Sequence, residues 1–289
     1  MNDKQKAIIF TLLSAVLGGL TSTVTKIGLV GIPPLSFAFI RFLVAGIVIL
    51  PFLRRKNFPE DVKRLIPFSL LGTINIMVFI LGVKITTATI GQLLYAGVPL
   101  LTAVFLFILF KERLTARKEV GIVIGFAGVM LVILLPLIEN GTKFSGSLLG
   151  NVLIGVGVVS YSLYVAYSKN KLKSFSPFIL TAAFIYVTCV ALFPLFLTDF
   201  VSYPDWWRKI TLSGVLALAY IAIISTIVTN ILTQYAIKYG GSILASMQFY
   251  LLPIFAYIAA FLFLGEQLTS GLIVGGLLAL LGVYITTKK

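Results

Sequence analysis

A chain of 289 residues that is 59% hydrophobic and only 11% charged, with a mean hydropathy of +1.08, has too little charge to cover a water-facing surface. Its 23 Lys and Arg against 9 Asp and Glu give a net charge of +14, which in a soluble protein would point to nucleic acid. With no histidine and one cysteine, Cys189, it lacks the residues for a disulfide framework, a thiolate metal site or Ser–His chemistry.

Apolar runs of about 20 residues, each able to cross a ~30 Å hydrocarbon core, follow one another between short polar breaks. In chain order they cover 7–30, 35–53, 65–83, 88–110, 118–137, 148–168, 176–197, 211–235, 240–264 and 271–287. Long continuous runs, rather than short alternating segments, make these helices and not barrel strands. The expected fold is an all-α membrane protein with ten transmembrane helices. The first run is too long for a signal h-region and has a counterpart later in the chain, so it reads as part of the fold. Tyr203, Trp206 and Trp207 fall where an interfacial aromatic belt is expected, and Asn140-Gly141-Thr142 forms a glycosylation sequon.

Basic residues alternate in density along these breaks. With the N-terminus inside, the inner segments hold Lys4, Lys6, Arg54, Arg55, Lys56, Lys63, Arg64, Lys111, Arg113, Arg117, Lys118, Lys169, Lys171, Lys173, Lys238, Lys288 and Lys289. The outer segments hold only Lys84, Lys143, Arg208 and Lys209, and Lys26 and Arg41 lie within spans. That asymmetry places both termini in the cytoplasm of a plasma membrane, in a chain whose short loops suit a prokaryote. No basic patch is left over for nucleic acid, so the expected partners are the lipid bilayer and a small-molecule substrate. No cofactor is expected, and monomer and homodimer both stay open.

The same pattern occurs twice. Pro99, Glu112, Leu114, Thr115, Gly121 and Gly128 recur as Pro253, Glu266, Leu268, Thr269, Gly275 and Gly282, each 154 positions later, and Lys84 matches Lys238 at that offset. Lys26, Pro34 and Pro51 match Lys169, Pro177 and Pro194 at an offset of 143. Two repeats, 1–138 and 147–289, therefore hold five spans each, joined by the linker Glu139–Gly146. Because five is odd, the second repeat enters from the opposite side. Inverted repeats give two near-isoenergetic arrangements, one open on each side, which is the basis of alternating access.

Pro99 and Pro253 lie near the middle of spans four and nine. Each removes a donor and frees the carbonyl four residues earlier, at Tyr95 and Phe249, as a hinge or gate would need; a packing kink is the alternative. Glu112 and Glu266 fall at the ends of the same spans, where a hydrogen-bonding role at a helix end is the simpler reading. The small-residue stripes Gly121/Gly125/Gly128 and Gly275/Ala279/Gly282 let helices approach closely.

The ten spans, the inverted five-plus-five repeat and the doubled proline–(12 residues)–Glu-x-Leu-Thr–Gly pattern resemble the drug/metabolite transporter superfamily, in particular its EamA-type members. Arg41-Phe42-Leu43-Val44-Ala45-Gly46, ending in Leu50-Pro51, is also similar to that family's second span. The resemblance implies a central cavity between the halves and transport of small metabolites or drugs, often outward. Phe184 stands where Arg41 would recur, so the role of Arg41 is not duplicated.

Polar groups on apolar helices are expensive unless they face the bundle interior. Span eight carries Thr226, Thr229, Asn230, Thr233 and Gln234 at helical spacing, a polar stripe several turns long, and Asn75 in span three matches Thr229. Span six carries Gly157, Tyr161, Tyr164 and Ser168; span one answers with Ser14, Gly18, Thr21 and Thr25. Gln92 and Tyr95 in span four correspond to Ser246 and Phe249 in span nine. These stripes are the candidate cavity walls, with Tyr95, Tyr164 and Phe249 offering aromatic faces, although such residues also simply pack helices. Arg41, roughly 10 Å below the outer surface at 1.5 Å per residue, is assigned a structural role, and Lys26 and Lys169 are expected to snorkel.

All nine acids lie in loops or at span ends. Proton-coupled carriers of organic cations use a carboxylate at depth, so none is available here. The leading expectation is a non-enzymatic secondary carrier, an exporter of an amino acid or related neutral or zwitterionic solute. The alternatives are a drug or organic-cation exporter and a non-transporting scaffold or receptor.

Overall fold

A computed structural model describes residues 2–53, 58–112, 115–139 and 145–287, and among them every regular element is helical. In chain order these are α1 (Asp3–Gly19), α2 (Thr21–Gly28), α3 (Pro34–Ile49), α4 (Phe58–Ile85), α5 (Ala88–Leu94), α6 (Val98–Phe110) and α7 (Ala116–Ile138). There follow α8 (Leu148–Lys171), α9 (Pro177–Ser202), α10 (Leu212–Tyr220), a π-helical segment (Ile221–Val228), α11 (Thr229–Ser246), α12 (Gln248–Leu264) and α13 (Ser270–Thr287). The sequon Asn140-Gly141-Thr142, the repeat residue Leu114 and the inner basic residues Arg54, Arg55, Lys56, Arg113, Lys288 and Lys289 lie outside the described residues.

Among the described residues, seven helical runs are long and apolar enough to cross a membrane: Asp3–Gly28, Pro34–Phe52, Phe58–Ile85, Ala88–Phe110, Leu148–Lys171, Pro177–Ser202 and Leu212–Ser246. Shorter apolar helices occupy Glu119–Leu135, Leu251–Leu264 and Ser270–Gly282. Val190, Phe263 and Leu277 are exposed, whereas Ser14, Asn75, Thr181 and Gln234 are buried. That distribution reverses the pattern of a water-soluble protein and suits a hydrocarbon solvent. The chain is an all-α membrane protein.

Two expected spans are broken by the backbone. Span four divides into α5, a 3₁₀ turn at Tyr95–Gly97, and α6. Pro99 sits in the first turn of α6, where a missing N–H leaves no helical bond unmade, and the Tyr95 carbonyl accepts from Val98 N–H. Pro99 therefore starts a helix rather than kinking one. Span nine is divided at Met247, where α11 gives way to α12, and ahead of that break Gly241 takes φ 79° and ψ 167° inside α11. That conformation is essentially confined to glycine. Pro253 stays inside α12, in its second turn.

Helix N-termini are closed by acids from elsewhere in the chain. Asp199 accepts from Ser36 N–H at 2.8 Å, at the start of α3. Glu139 accepts from Gly271 N–H at 3.1 Å, at the start of α13, and Glu266 does the same for α5. Each supplies an acceptor for orphan backbone donors and a negative charge for the positive end of the helix dipole. Trp206, expected in an interfacial belt, is buried, while Trp207 and Tyr203 beside it are exposed.

The two halves pack on each other reciprocally. Helix α1 lies along α11 and α12, and α4 lies along α8 and α9; α3 meets α9, and α7 meets α13. At the last of these contacts a methyl group on Gly128 would collide with the backbone at Ala279, and one on Gly282 with the backbone of Gly125. Without water to drive helices together, such close approach supplies the van der Waals contact that holds them.

Candidate functional site

A cavity of about 110 Å³ lies where helices from the two halves meet. Its polar lining includes Ser14, Thr21, Arg41, Asn75, Gln92, Tyr95 and Tyr161. The later helices contribute Ser225, Thr229, Asn230, Thr233, Gln248 and Phe249, and Ile76, Phe79, Phe184 and Leu252 complete an apolar wall.

One side of the cavity is a hydroxyl and amide chain. Ser14 Oγ lies 2.9 Å from Thr233 Oγ1, and Gln248 Nε2 donates to the same Thr233 oxygen at 3.3 Å. Thr21 Oγ1 and Ser225 Oγ are 2.9 Å apart. Opposite them, Asn75 Nδ2 bonds the Gly157 carbonyl at 2.9 Å and also the Tyr95 hydroxyl. The aromatic faces form a connected group: Tyr95 stacks on Phe249 with centroids 5.9 Å apart, and Tyr161 meets Phe249 edge-on at 5.6 Å.

The π-helical segment decides which span-eight residues reach this space. Thr226 Oγ1 bonds the carbonyl of Ile221, Thr229 Oγ1 that of Ile224, and Asn230 Nδ2 that of Ser225, all five residues back. The wider turn rotates the polar stripe away from ideal α-helical spacing. Thr229, Asn230 and Thr233 stay on the wall, and Ser225 joins them. Thr226 is fully buried behind it, and Gln234 donates instead to Tyr164 Oη at 3.0 Å and Ser168 Oγ at 3.2 Å.

Three expected cavity residues lie behind the lining. Thr226 is one. Tyr164 is packed flat on Phe68 at 4.4 Å, and Ser246 turns back to the Ile243 carbonyl at 2.8 Å. Pro99 and Pro253 are buried off the cavity. Gln248 and Leu252 escaped the sequence reading because the break at Met247 sets the register of α12, and nothing in the residue order announces it. Arg41, assigned a structural role above, lines the cavity. Its Nε donates to Thr226 Oγ1 at 3.1 Å and its guanidinium lies over Phe42, 5.0 Å from the ring centroid.

Beyond the cavity, each of two ends of the molecule carries one Lys–Glu pair. At one end Glu266 Oε1 accepts from Ala88 N–H at 2.8 Å, and Oε2 from Thr89 N–H at 3.0 Å and Thr89 Oγ1 at 2.7 Å. Lys26 Nζ stands 3.7 Å from Glu266 and also bonds the Thr86 carbonyl. At the other end Lys169 Nζ meets Glu112 Oε1 at 2.5 Å, beside a depression lined also by Leu106, Phe110 and Lys173. Each of the two lysines expected to snorkel has a carboxylate within reach. The pairs cross between sequence-matched positions: Lys26 and Lys169 match at the offset of 143, and Glu112 and Glu266 at that of 154.

The model of the EamA-like transporter family matches residues 5–134 and 148–288. The chain belongs to the EamA-like transporter family. Among similar family-sized chains is an uncharacterized transporter of Archaeoglobus fulgidus, 29% identical over 91% of this chain and 91% of its own length. The uncharacterized inner membrane transporter YedA of Escherichia coli is 28% identical over 100% of this chain and 96% of its own. The uncharacterized transporter YyaM of Bacillus subtilis is 28% identical over 93% and 89%. A solved crystal structure shares the fold with a TM-score of 0.68 at 18% identity, over 98% of this chain and 96% of that one. This EamA-like chain is thus a multi-pass membrane protein of a transporter family, with its polar cavity between the helices.

Proposed function

We propose that the protein is a secondary carrier that exports a small organic metabolite, an amino acid or a related neutral or zwitterionic solute, by alternating access. Ten crossings in two inverted five-helix repeats, 1–138 and 147–289, with both termini cytoplasmic, form the working architecture. The observation that carries this reading is the cavity's position among helices of both halves, with one Lys–Glu pair beyond it at each end. Reciprocal packing, in which α1 meets α11 as α8 meets α4, supports the repeat. In this reading the Lys26–Glu266 end is the closed gate and the Lys169–Glu112 end the loosened one.

Coupling follows from what lines the cavity. Among the described residues no carboxylate does, and Glu266 is committed to three donors at the start of α5. The solute then moves down its own gradient or by exchange. Proteoliposomes holding the purified chain, with and without a pH gradient at constant potential, test this. Uphill accumulation that follows the pH gradient and vanishes in Glu112→Gln or Glu266→Gln would overturn it. The topology is tested by single-cysteine labelling in a Cys189→Ala background. Outside labelling of position 60, or no labelling of position 142, contradicts both termini being inside.

A further inference from the structure

Among the described residues lining the cavity Arg41 is the one charged side chain, and it is 3% exposed. Among the described residues its only hydrogen bond is the one from Nε to Thr226, and no carboxylate pairs with it. Thr226 in turn donates its hydroxyl to Ile221, so its oxygen is held with a lone pair facing the guanidinium. The Phe42 ring lies against the guanidinium, with its centroid 5.0 Å away. The two terminal nitrogens are left, with four N–H donors in a planar fork and no acceptor among the described residues.

A buried cation without a counter-charge costs several kcal/mol, and that cost is relieved only when something negative arrives. The fork matches the two oxygens of a carboxylate in parallel. Charge balance narrows the ligand further: one guanidinium neutralises a monoanion, whereas a phosphate dianion would leave a net charge in an apolar pocket. An organic cation would meet like charge. The aromatic group of Tyr95, Tyr161 and Phe249 supplies faces for an apolar body or an ammonium.

We infer that Arg41 anchors the substrate's carboxylate through its terminal nitrogens, and that the solute carried is a small monocarboxylate, with or without an amino group. This rests on the carrier reading above, which it narrows. The repeat mate of Arg41 is Phe184, so a single anchor serves both access states and the solute keeps one orientation throughout.

The test uses the full-length protein in proteoliposomes and in a detergent thermal-shift assay. Alanine, leucine and phenylalanine are compared, each with its amide and with its deaminated acid; tetraethylammonium and chloride are included at matched ionic strength. The expected result is that the acids stabilise and exchange, while amides, tetraethylammonium and chloride do not. Free amino acids should behave as acids if the aromatic group accepts the ammonium. Arg41→Gln should weaken the acids at least about tenfold, with Arg41→Lys retaining part of the effect, since a point charge replaces the fork. The wild-type comparison needs no variant to fold. Amides or tetraethylammonium exchanging as well as the acids, or chloride stabilising equally, would overturn the carboxylate anchor and leave the carrier standing. No flux for any of these compounds with a folded wild-type protein would overturn the carrier reading, and the anchor with it.

Discussion

The two Lys–Glu pairs use the same residue types at sequence-matched positions, yet they are physically different objects. Glu266 is 6% exposed and closes a helix N-terminus with two backbone bonds, a hydroxyl bond and an ion pair. At the other end the Lys169 and Glu112 side chains are 46% and 39% exposed, with only each other as charged partner among the described residues. A half-exposed pair is worth about 0–1 kcal/mol. A buried carboxylate on which orphan donors depend is worth several times more, and most of that is the penalty of leaving the donors unmet. Identical chemistry therefore gives a latch at one end and a loose contact at the other.

The comparison breaks most sharply on removing the acids. Glu266→Ala should lower stability by about 3–5 kcal/mol, and Glu112→Ala by no more than about 1 kcal/mol, read as detergent thermal melts of the two variants side by side. Equal losses at both ends would mean that burial does not set the difference. A charge swap sharpens the same point. Lys169→Glu with Glu112→Lys should melt near wild type, whereas Lys26→Glu with Glu266→Lys should not recover, because a lysine cannot accept from Ala88 and Thr89.

Backbone devices at the matched breaks should have smaller effects. Thr87 caps α5, its Oγ1 accepting from Ile90 N–H at 3.1 Å, while Gly241 holds the corresponding turn by conformation alone. Gly241→Ala should cost about 1–3 kcal/mol and Thr87→Ala about 1 kcal/mol in the same melts. A methyl group at 241 meets nothing within 4 Å, so any loss there reports φ rather than crowding.

The smallest effect on stability is expected at the cavity. Asn230→Leu and Thr233→Leu should leave folded yield and melting temperature nearly unchanged while exchange flux falls at least severalfold. Normal flux in both variants would make the wall packing and not a binding surface.

How far the sequence could be read depended on the range of the interaction. Apolar length, helix type and the doubled motif are written in neighbouring residues, so the membrane solvent and the all-helical class were visible there. The candidate walls were largely legible too: Thr21, Asn75, Gln92, Tyr95, Tyr161, Thr229, Asn230, Thr233 and Phe249, read from helical spacing or from the match between the two halves of the sequence, line the cavity. Spacing failed where the helix changed pitch. The π-helical segment brought Ser225 inward and took Thr226 behind the wall, since five-residue hydrogen bonds replace four-residue ones and rotate each following side chain.

What the chain determined by itself was therefore local: which solvent it enters, which segments are helical, and which polar positions share a face of a regular helix. The tertiary structure decided the meaning of its charges. Lys26 and Glu266 stand far apart along the chain and meet only because α2, α5 and the end of α12 converge. Arg41, assigned a structural role from the sequence, becomes a cavity residue because Thr226, 185 positions later in the π-helical segment, accepts from its Nε. A charge in low dielectric is governed by its few nearest neighbours, and those neighbours are chosen by packing rather than by sequence order.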